Sequence, residues 1–146
     1  MKTSWHRLEK FSRHADVYMA QVDDTRSGYK LRYAISRVLD QIERLKSDVQ
    51  QRLAEIEIDH CMVGSENGVK DIILRDGQGK LRYTKEGMVS RNAEQATYLG
   101  EDNFELEPYF ATLVPDNMSA PDLFAFEGIV IAPEVIEGLF NKEPTG

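Results

Sequence analysis

Residues that could carry out chemistry are few and far apart in this sequence. His60 and Cys61 are the only neighbouring histidine and cysteine, and a thiolate nucleophile needs a base within hydrogen-bond reach. Adjacent residues of a helix point about 100° apart, so the pair is interpreted as a helix end and not as a dyad. His6 and His14 are two turns apart, about 12 Å along a helix, which is too far to share one metal ion. No catalytic residue, metal ligand or cofactor is therefore predicted.

Two other patterns could bind phosphate or a cation. Gly77 and Gly79 are followed at once by Lys80 and a predicted strand, whereas a phosphate cradle opens into a helix, so they are interpreted as a turn. Four acids lie close together in the sequence and could hold Mg²⁺ for hydrolysis: Glu101, Asp102, Glu105 and Glu107. No lysine or histidine accompanies them at motif spacing, so a metal-dependent hydrolase is the weakest functional alternative.

The elements that must position these residues begin with a long helix. Over residues 28–58, apolar residues recur at steps of three and four, the pattern of a helix that packs on another helix: Leu31, Ile35, Val38, Ile42, Leu45, Val49 and Ile56. Neither proline nor glycine interrupts residues 29–63. We therefore expect a helix of some 33 residues, about 50 Å long, capped by Thr25 or Ser27.

A shorter amphipathic helix, roughly residues 4–22, precedes the long one. The short polar loop between them predicts that the two helices are antiparallel neighbours. The long helix extends about a dozen residues beyond the short one, so the seam at Val49, Leu53 and Ile56 must be covered by something else. We expect that cover to be the C-terminal half of the chain or a second copy.

The hydrophobic period changes after Gly68. Residues 71–75 and 80–84 read as two strands around a turn at 76–79. A helix over 85–99 follows and ends at Gly100; its predicted inward residues are Met88, Val89, Ala93, Ala96 and Leu99. A strand over 103–114 would place Phe104 and Leu106 on one face, with Pro108 restricting it to a sheet edge.

A last short helix, Glu134–Phe140, is predicted to start after Pro133. Together the elements predict an α+β fold: an N-terminal antiparallel helical hairpin with one long helix, a small, mostly antiparallel β part and short C-terminal helices. We expect one domain over residues 1–146, divided into a helical hairpin (1–64) and an acidic α+β part (65–146). The 146 residues suffice for one ordinary core without disulfides.

Charge is distributed unevenly along the chain. The net charge is −7, yet residues 1–100 sum to +2 and residues 101–146 to −9, an asymmetry that bears on partners more than on fold. Lys30, Arg37 and Arg44 stack on one side of the long helix. A basic stripe can bind phosphates, but acids at i−4 and i−3 favour a solvent face with intrahelical ion pairs: Asp40 before Arg44, Asp48 before Arg52, and Glu43 before Lys46.

Two short motifs occur at the start of the long helix and near residue 135. Lys30, Tyr33, Ala34 and Arg37 form a K-x-x-Y-A-x-x-R stretch, and Ile131–Leu139 is an apolar I-x-P-x-x-x-x-x-L segment. Both resemble segments of a family of small proteins encoded by tailed phages and prophages, in which the first stretch opens a long charged helix. The resemblance implies a mobile-element origin and a helical hairpin, and the family carries no assigned activity.

These observations predict a non-catalytic protein-interaction or assembly module that binds a protein partner or a second copy of itself. The predicted contact residues are the seam and the acidic rim: Val49, Leu53, Ile56, Glu101, Asp102, Glu105 and Glu107. The main alternative is an acidic DNA mimic that inhibits a nucleic-acid-binding protein. Direct nucleic-acid binding is disfavoured by the net charge. No apolar run is long enough for a membrane span, and the N-terminus lacks a signal-peptide pattern, so a cytoplasmic location is expected.

Overall fold

A computed structural model describes residues 1–140 and shows an α+β fold. Five helices occur in these residues: α1 (Trp5–Met19), α2 (Arg26–His60), α3 (Lys85–Gly100), α4 (Ala120–Phe126) and α5 (Pro133–Phe140). The strands in the same range are β1 (Lys2–Thr3), β2 (Val63–Glu66), β3 (Val69–Ile73) and β4 (Phe104–Glu105). They form two separate antiparallel pairs, β1 with β4 and β2 with β3.

The chain divides into two compact units. Unit 1 combines Met1–Arg44 with the chain from Asp102 onward, and unit 2 is Leu45–Glu101. Helix α2 contributes its first half to unit 1 and its second half to unit 2. The boundary predicted at residue 64 therefore coincides with neither end of unit 2.

Both N-terminal helices are confirmed, and local capping fixes where they begin. The Ser4 side chain accepts from the Arg7 N–H at the start of α1, and the Thr25 hydroxyl accepts from the Gly28 N–H at the start of α2, 3.0 Å away. Asp23 in turn accepts from the Thr25 amide and hydroxyl. Helix α1 ends earlier than predicted, so Val22 lies beyond it and is 89% exposed.

Unit 1 holds the apolar core of the molecule. Helix α1 buries one side, and the first half of α2 buries the side predicted from its period: Leu31, Ala34, Ile35, Val38 and Ile42. Phe126 of α4 lies at the centre, with its ring 5.5 Å from that of Phe11 and 6.0 Å from that of Tyr18. The run 129–131 is fully buried beside them.

The C-terminal elements of unit 1 partly match expectation. The predicted strand over 103–114 is reduced to β4, but its alternation is confirmed, with Phe104 and Leu106 buried and Glu105 and Glu107 exposed. The helix after Pro133 is confirmed as α5. Helix α4 was not predicted individually; Ser119 caps it and a proline lies in its first turn.

Unit 2 departs most from the sequence predictions. The hairpin predicted over 71–84 is wrong in register: strands β2 and β3 form it earlier, around Asn67 (φ +50°) and Gly68 (φ +78°). Two successive positive φ values are those of a type I′ turn, for which Asn-Gly is the strongest local signal. Of the predicted hairpin, the turn at 76–79 and an isolated bridge between Arg75 and Leu81 remain.

Helix α3 has the predicted limits but not the predicted orientation. None of its side chains is fully buried, and Met88 and Val89 are 37% and 63% exposed. The prediction that its apolar residues point inward is therefore wrong. No helix in residues 1–140 combines the length and apolarity that a membrane crossing requires.

Candidate functional site

The predicted seam is buried by the chain itself. Val49 and Ile56 are 3% and 0% exposed, and Leu53 is half-buried. The expectation that the chain leaves Val49 and Ile56 uncovered is therefore wrong, whereas Leu53 remains partly accessible. The period that predicted a helix-packing seam is correct, but it does not reveal which part of the chain packs on it.

The four acids of the predicted rim are all exposed, but they do not form one cluster with a common role. Glu101 is the last residue of unit 2, and its N–H donates to the Thr97 carbonyl. Glu105 of unit 1 accepts from the Met1 ammonium, 3.0 Å away. Among residues 1–140, no group of three or more histidines, cysteines, aspartates or glutamates could hold a metal ion.

The expected ion pairs along α2 do not form. Asp40 with Arg44, Asp48 with Arg52, and Glu43 with Lys46 are all absent from the ion pairs of the described chain. Arg52 instead contacts Glu55 and Glu94, at 3.0 and 3.2 Å. Consequently Arg37 and Arg44, which lie about 10 Å apart along the helix axis, have no carboxylate at salt-bridge distance in the part of the chain that the structure describes.

The exposed side of α2 in unit 1 carries an aromatic and arginine surface. Tyr33, Arg37, Asp40 and Arg44 follow one another at steps of four, three and four, which places them on one side of the helix; we call these four residues the α2 face. All four are exposed. Tyr109 flanks the face: its ring centroid is 5.6 Å from that of Tyr33, edge to face, and 5.7 Å from the Arg37 guanidinium carbon.

Backbone contacts fix Tyr109 beside the α2 face. The Gln41 amide donates to the Glu107 carbonyl at 2.8 Å, and its oxygen accepts from the Glu107 N–H at 2.9 Å. Further along, the Tyr109 N–H donates to the Ile129 carbonyl at 3.0 Å. The segment is thus anchored from two sides, and a shallow groove of about 370 Å³ remains between it and α2. Aromatic and arginine side chains held in this way are typical of interaction hot spots.

Unit 1 also contains a polar site between α1 and α4. His14 Nδ1 lies 2.8 Å from Asp122 Oδ1, and a cavity of about 670 Å³ borders Tyr18, Asp23 and Asp122. The Tyr18 hydroxyl and two nitrogens of Arg32 are buried without a hydrogen-bond partner among the described residues. Burial, and next the Asp23 carboxylate, raise the pKa of Tyr18, so the phenol is a proton donor and not a nucleophile at neutral pH.

A second charged cluster joins α2 and α3 in unit 2. Glu94 accepts from His60 through one oxygen and from Arg52 through the other. The hydrogen bond from His60, reinforced by the Arg52 charge, holds the pKa of Glu94 below its ordinary range. The Cys61 thiol donates to the Ile58 carbonyl at 3.2 Å, so it is oriented by backbone and not by the neighbouring imidazole. The arrangement ties two helices together and presents no activated nucleophile.

Comparisons with protein-family models, with curated proteins and with solved structures find no match to this chain. We therefore infer a function from the sites within each unit. Of the sites above, the α2 face with Tyr109 combines exposed aromatic surface with charges that form no ion pair within the described part of the chain, and we treat it as the candidate functional site.

Proposed function

We propose that the chain is a non-catalytic intracellular interaction module, of phage or prophage origin, that binds another protein through the α2 face and Tyr109. The observation that carries this proposal is that Arg37 and Arg44, which have no carboxylate at salt-bridge distance among residues 1–140, share one surface with the exposed rings of Tyr33 and Tyr109. Tyrosine and arginine are enriched at protein interfaces because they bury large areas and also form directed polar contacts.

The rigidity of the surface supports the same function. Four of its side chains lie on helix α2, where Gln41 holds residue 107 through two hydrogen bonds. The backbone that carries these side chains is therefore already positioned, which lowers the ordering cost when a partner docks. A surface that served only to keep the protein in solution would not need an anchored tyrosine at its edge.

Mixed charge favours a protein over a nucleic acid as the partner. Aromatic rings beside arginines could also stack bases, but the groove includes Asp40 and Glu107 as well as Arg37 and Arg44. A phosphate backbone would meet both carboxylates, whereas a protein surface can supply charges of either sign. Fluorescent single-stranded oligonucleotides at low salt would detect the nucleic-acid alternative directly.

The test compares the wild-type chain with a triple variant, Tyr33→Ser, Arg37→Glu and Tyr109→Ser. Each tagged full-length protein is expressed with an untagged copy, purified from its host lysate, and the retained proteins are quantified by mass spectrometry. We expect at least one protein, or the untagged copy, to be retained by the wild type and lost, at least tenfold, from the variant. Far-UV circular dichroism verifies that the variant is folded.

Arg13→Glu is the matched control, because Arg13 is an exposed arginine of α1 outside the face. It should retain the same proteins as the wild type. Equal retention by the wild type and the triple variant would show that this surface is not the interface, and tight oligonucleotide binding would replace the proposal with its nucleic-acid alternative.

A further inference from the structure

The α2 face is complementary to itself. Reading along the helix, the order is an aromatic ring, a cation, an anion and a cation: Tyr33, Arg37, Asp40 and Arg44. Two antiparallel copies of this helix, related by a twofold axis midway between residues 38 and 39, bring Arg37 of each copy opposite Asp40 of the other. The same register brings Arg44 of each copy opposite Tyr33 of the other.

The three charged residues of the α2 face form no ion pair among residues 1–140, and each gains a partner in that arrangement. Arg37 and Asp40 form two symmetry-related ion pairs near the axis, and Arg44 lies over the exposed ring of Tyr33, which is 55% accessible. Such reciprocity is the defining property of an isologous interface, in which residue i contacts j and j contacts i. One exposed chain segment thus supplies both halves of the contact.

Two of the neighbouring registers are disfavoured by like charges. A shift of the axis to a point between residues 40 and 41 would bring Arg37 opposite Arg44, so two cations would face each other. A shift in the other direction, to a point near residue 37, would oppose Arg37 to itself. An axis at residue 42 would pair Asp40 with Arg44 but leave Tyr33 and Arg37 opposite residues 51 and 47. Of these registers, the one centred between residues 38 and 39 gives all four residues of the α2 face a partner within the face.

We propose that the α2 face is a homodimer contact, with a second copy of this chain as its occupant. This inference rests on the proposed function and names the partner. Two crossing helices bury a small area, at the low end of specific interfaces, so the dimer is weak and forms at micromolar or higher concentration. Ion pairs contribute much of its specificity, and salt weakens it.

A charge-swap experiment on the full-length chain tests the register. Sedimentation velocity over a concentration series measures the dimer Kd of the wild type, Arg37→Asp, Asp40→Arg and the double variant. Each single variant should raise Kd at least tenfold, because it places like charges opposite each other. The double variant restores opposite charges and should return Kd to within about threefold of the wild type.

Arg13 and Asp16 provide the control, because they have the same chemistry and the same spacing on the exposed side of α1. Arg13→Asp and Asp16→Arg should leave the dimer Kd unchanged. A double variant that stays as weak as the single variants would overturn the antiparallel register. A monomeric wild type at several hundred micromolar would overturn the dimer itself.

The two proposals fail in different ways. If the wild type is monomeric but captures a different protein through the α2 face, the proposed function stands and the homodimer is wrong. If the chain is monomeric and the triple variant retains the same proteins as the wild type, both are wrong.

Discussion

The two units of this molecule use the same kinds of helix and reach very different degrees of burial. Among the described residues, unit 1 buries nineteen apolar side chains and unit 2 buries two, Val49 and Ile56. A fully buried large apolar side chain contributes about 1.5–3 kcal/mol relative to an exposed one. We infer that unit 1 is stabilised by its core, whereas unit 2 depends on helix hydrogen bonds, a hairpin and one charged cluster.

Helical periodicity and core formation are therefore separate properties. Helix α3 has the predicted limits, a Thr84 cap and an apolar stripe, yet none of its side chains is fully buried, and the polar Glu94 links it to Arg52 and His60 of α2. In unit 1 the apolar stripe of each helix meets another apolar surface. We therefore expect substitutions in unit 1 and unit 2 to affect stability by different amounts.

The largest effect is expected in the core of unit 1. Phe126→Ala removes a ring that is 0% exposed and contacts two other aromatic rings, so it should lower the free energy of unfolding by about 3–5 kcal/mol. Urea unfolding followed by Trp5 fluorescence measures this, since Trp5 is the single tryptophan and lies in unit 1. Phe124→Ala, at a 58% exposed position of the same helix, should cost under about 1 kcal/mol.

A smaller and local effect is expected for Ile56→Ala in unit 2. Its side chain is 0% exposed, but the thinly packed surroundings can collapse around the deletion, so a loss of about 2–3 kcal/mol is expected, at the low end for such truncations. Far-UV circular dichroism should show an early transition that Trp5 fluorescence does not report. Coincident transitions with both probes would show that the two units unfold together. That result would contradict the inferred difference in stability between them.

The hairpin of unit 2 depends on its turn. Gly68 has φ +78°, a conformation that other residues adopt only with strain, so Gly68→Ala should destabilise unit 2 by about 1 kcal/mol. Gly77→Ala is the matched control, because a methyl group there meets open space and its φ is not positive. Hydrogen exchange of the β2 and β3 amides should be faster in Gly68→Ala than in Gly77→Ala.

The smallest effect concerns pH. The lowered pKa of Glu94 means that its carboxylate stabilises unit 2 above the ordinary glutamate pKa, and this contribution is lost as the pH falls through the lowered value. The urea concentration at the unfolding midpoint, measured by circular dichroism, should therefore fall more steeply for the wild type than for Glu94→Gln between pH 5 and about 3. Parallel curves would show that the cluster contributes nothing to unit 2.

The sequence predicts the helices well because their signals are local. The period of α2 and the Pro133 start of α5 depend only on neighbouring residues, and both are confirmed. The cover of Val49 and Ile56 and the orientation of α3 depend on which surfaces meet in three dimensions, which no spacing encodes. The hairpin error is different, since Asn67-Gly68 is a local turn signal, whereas the prediction places the turn at residues 76–79.

The candidate site was the hardest part to predict. Arg37 and Arg44 belong to the predicted basic stripe, but intrahelical spacing predicted ion pairs that do not form among the described residues. Tyr109 comes from a segment far along the chain and reaches Tyr33 and Arg37 because Gln41 holds residue 107. A long-range contact of this kind leaves no periodic trace in the sequence.

Gly87 gives one consequence for how substitutions in this protein should be interpreted. A methyl group on it would lie 2.7 Å from the His60 carbonyl oxygen, so helix α3 can start against the last turn of α2 only while this residue has no side chain. In a survey of tolerated substitutions, Gly87 would therefore rank with residues that are essential for activity. The cause of this intolerance would be a steric clash between two backbone segments. It would therefore indicate a structural requirement and not a functional one.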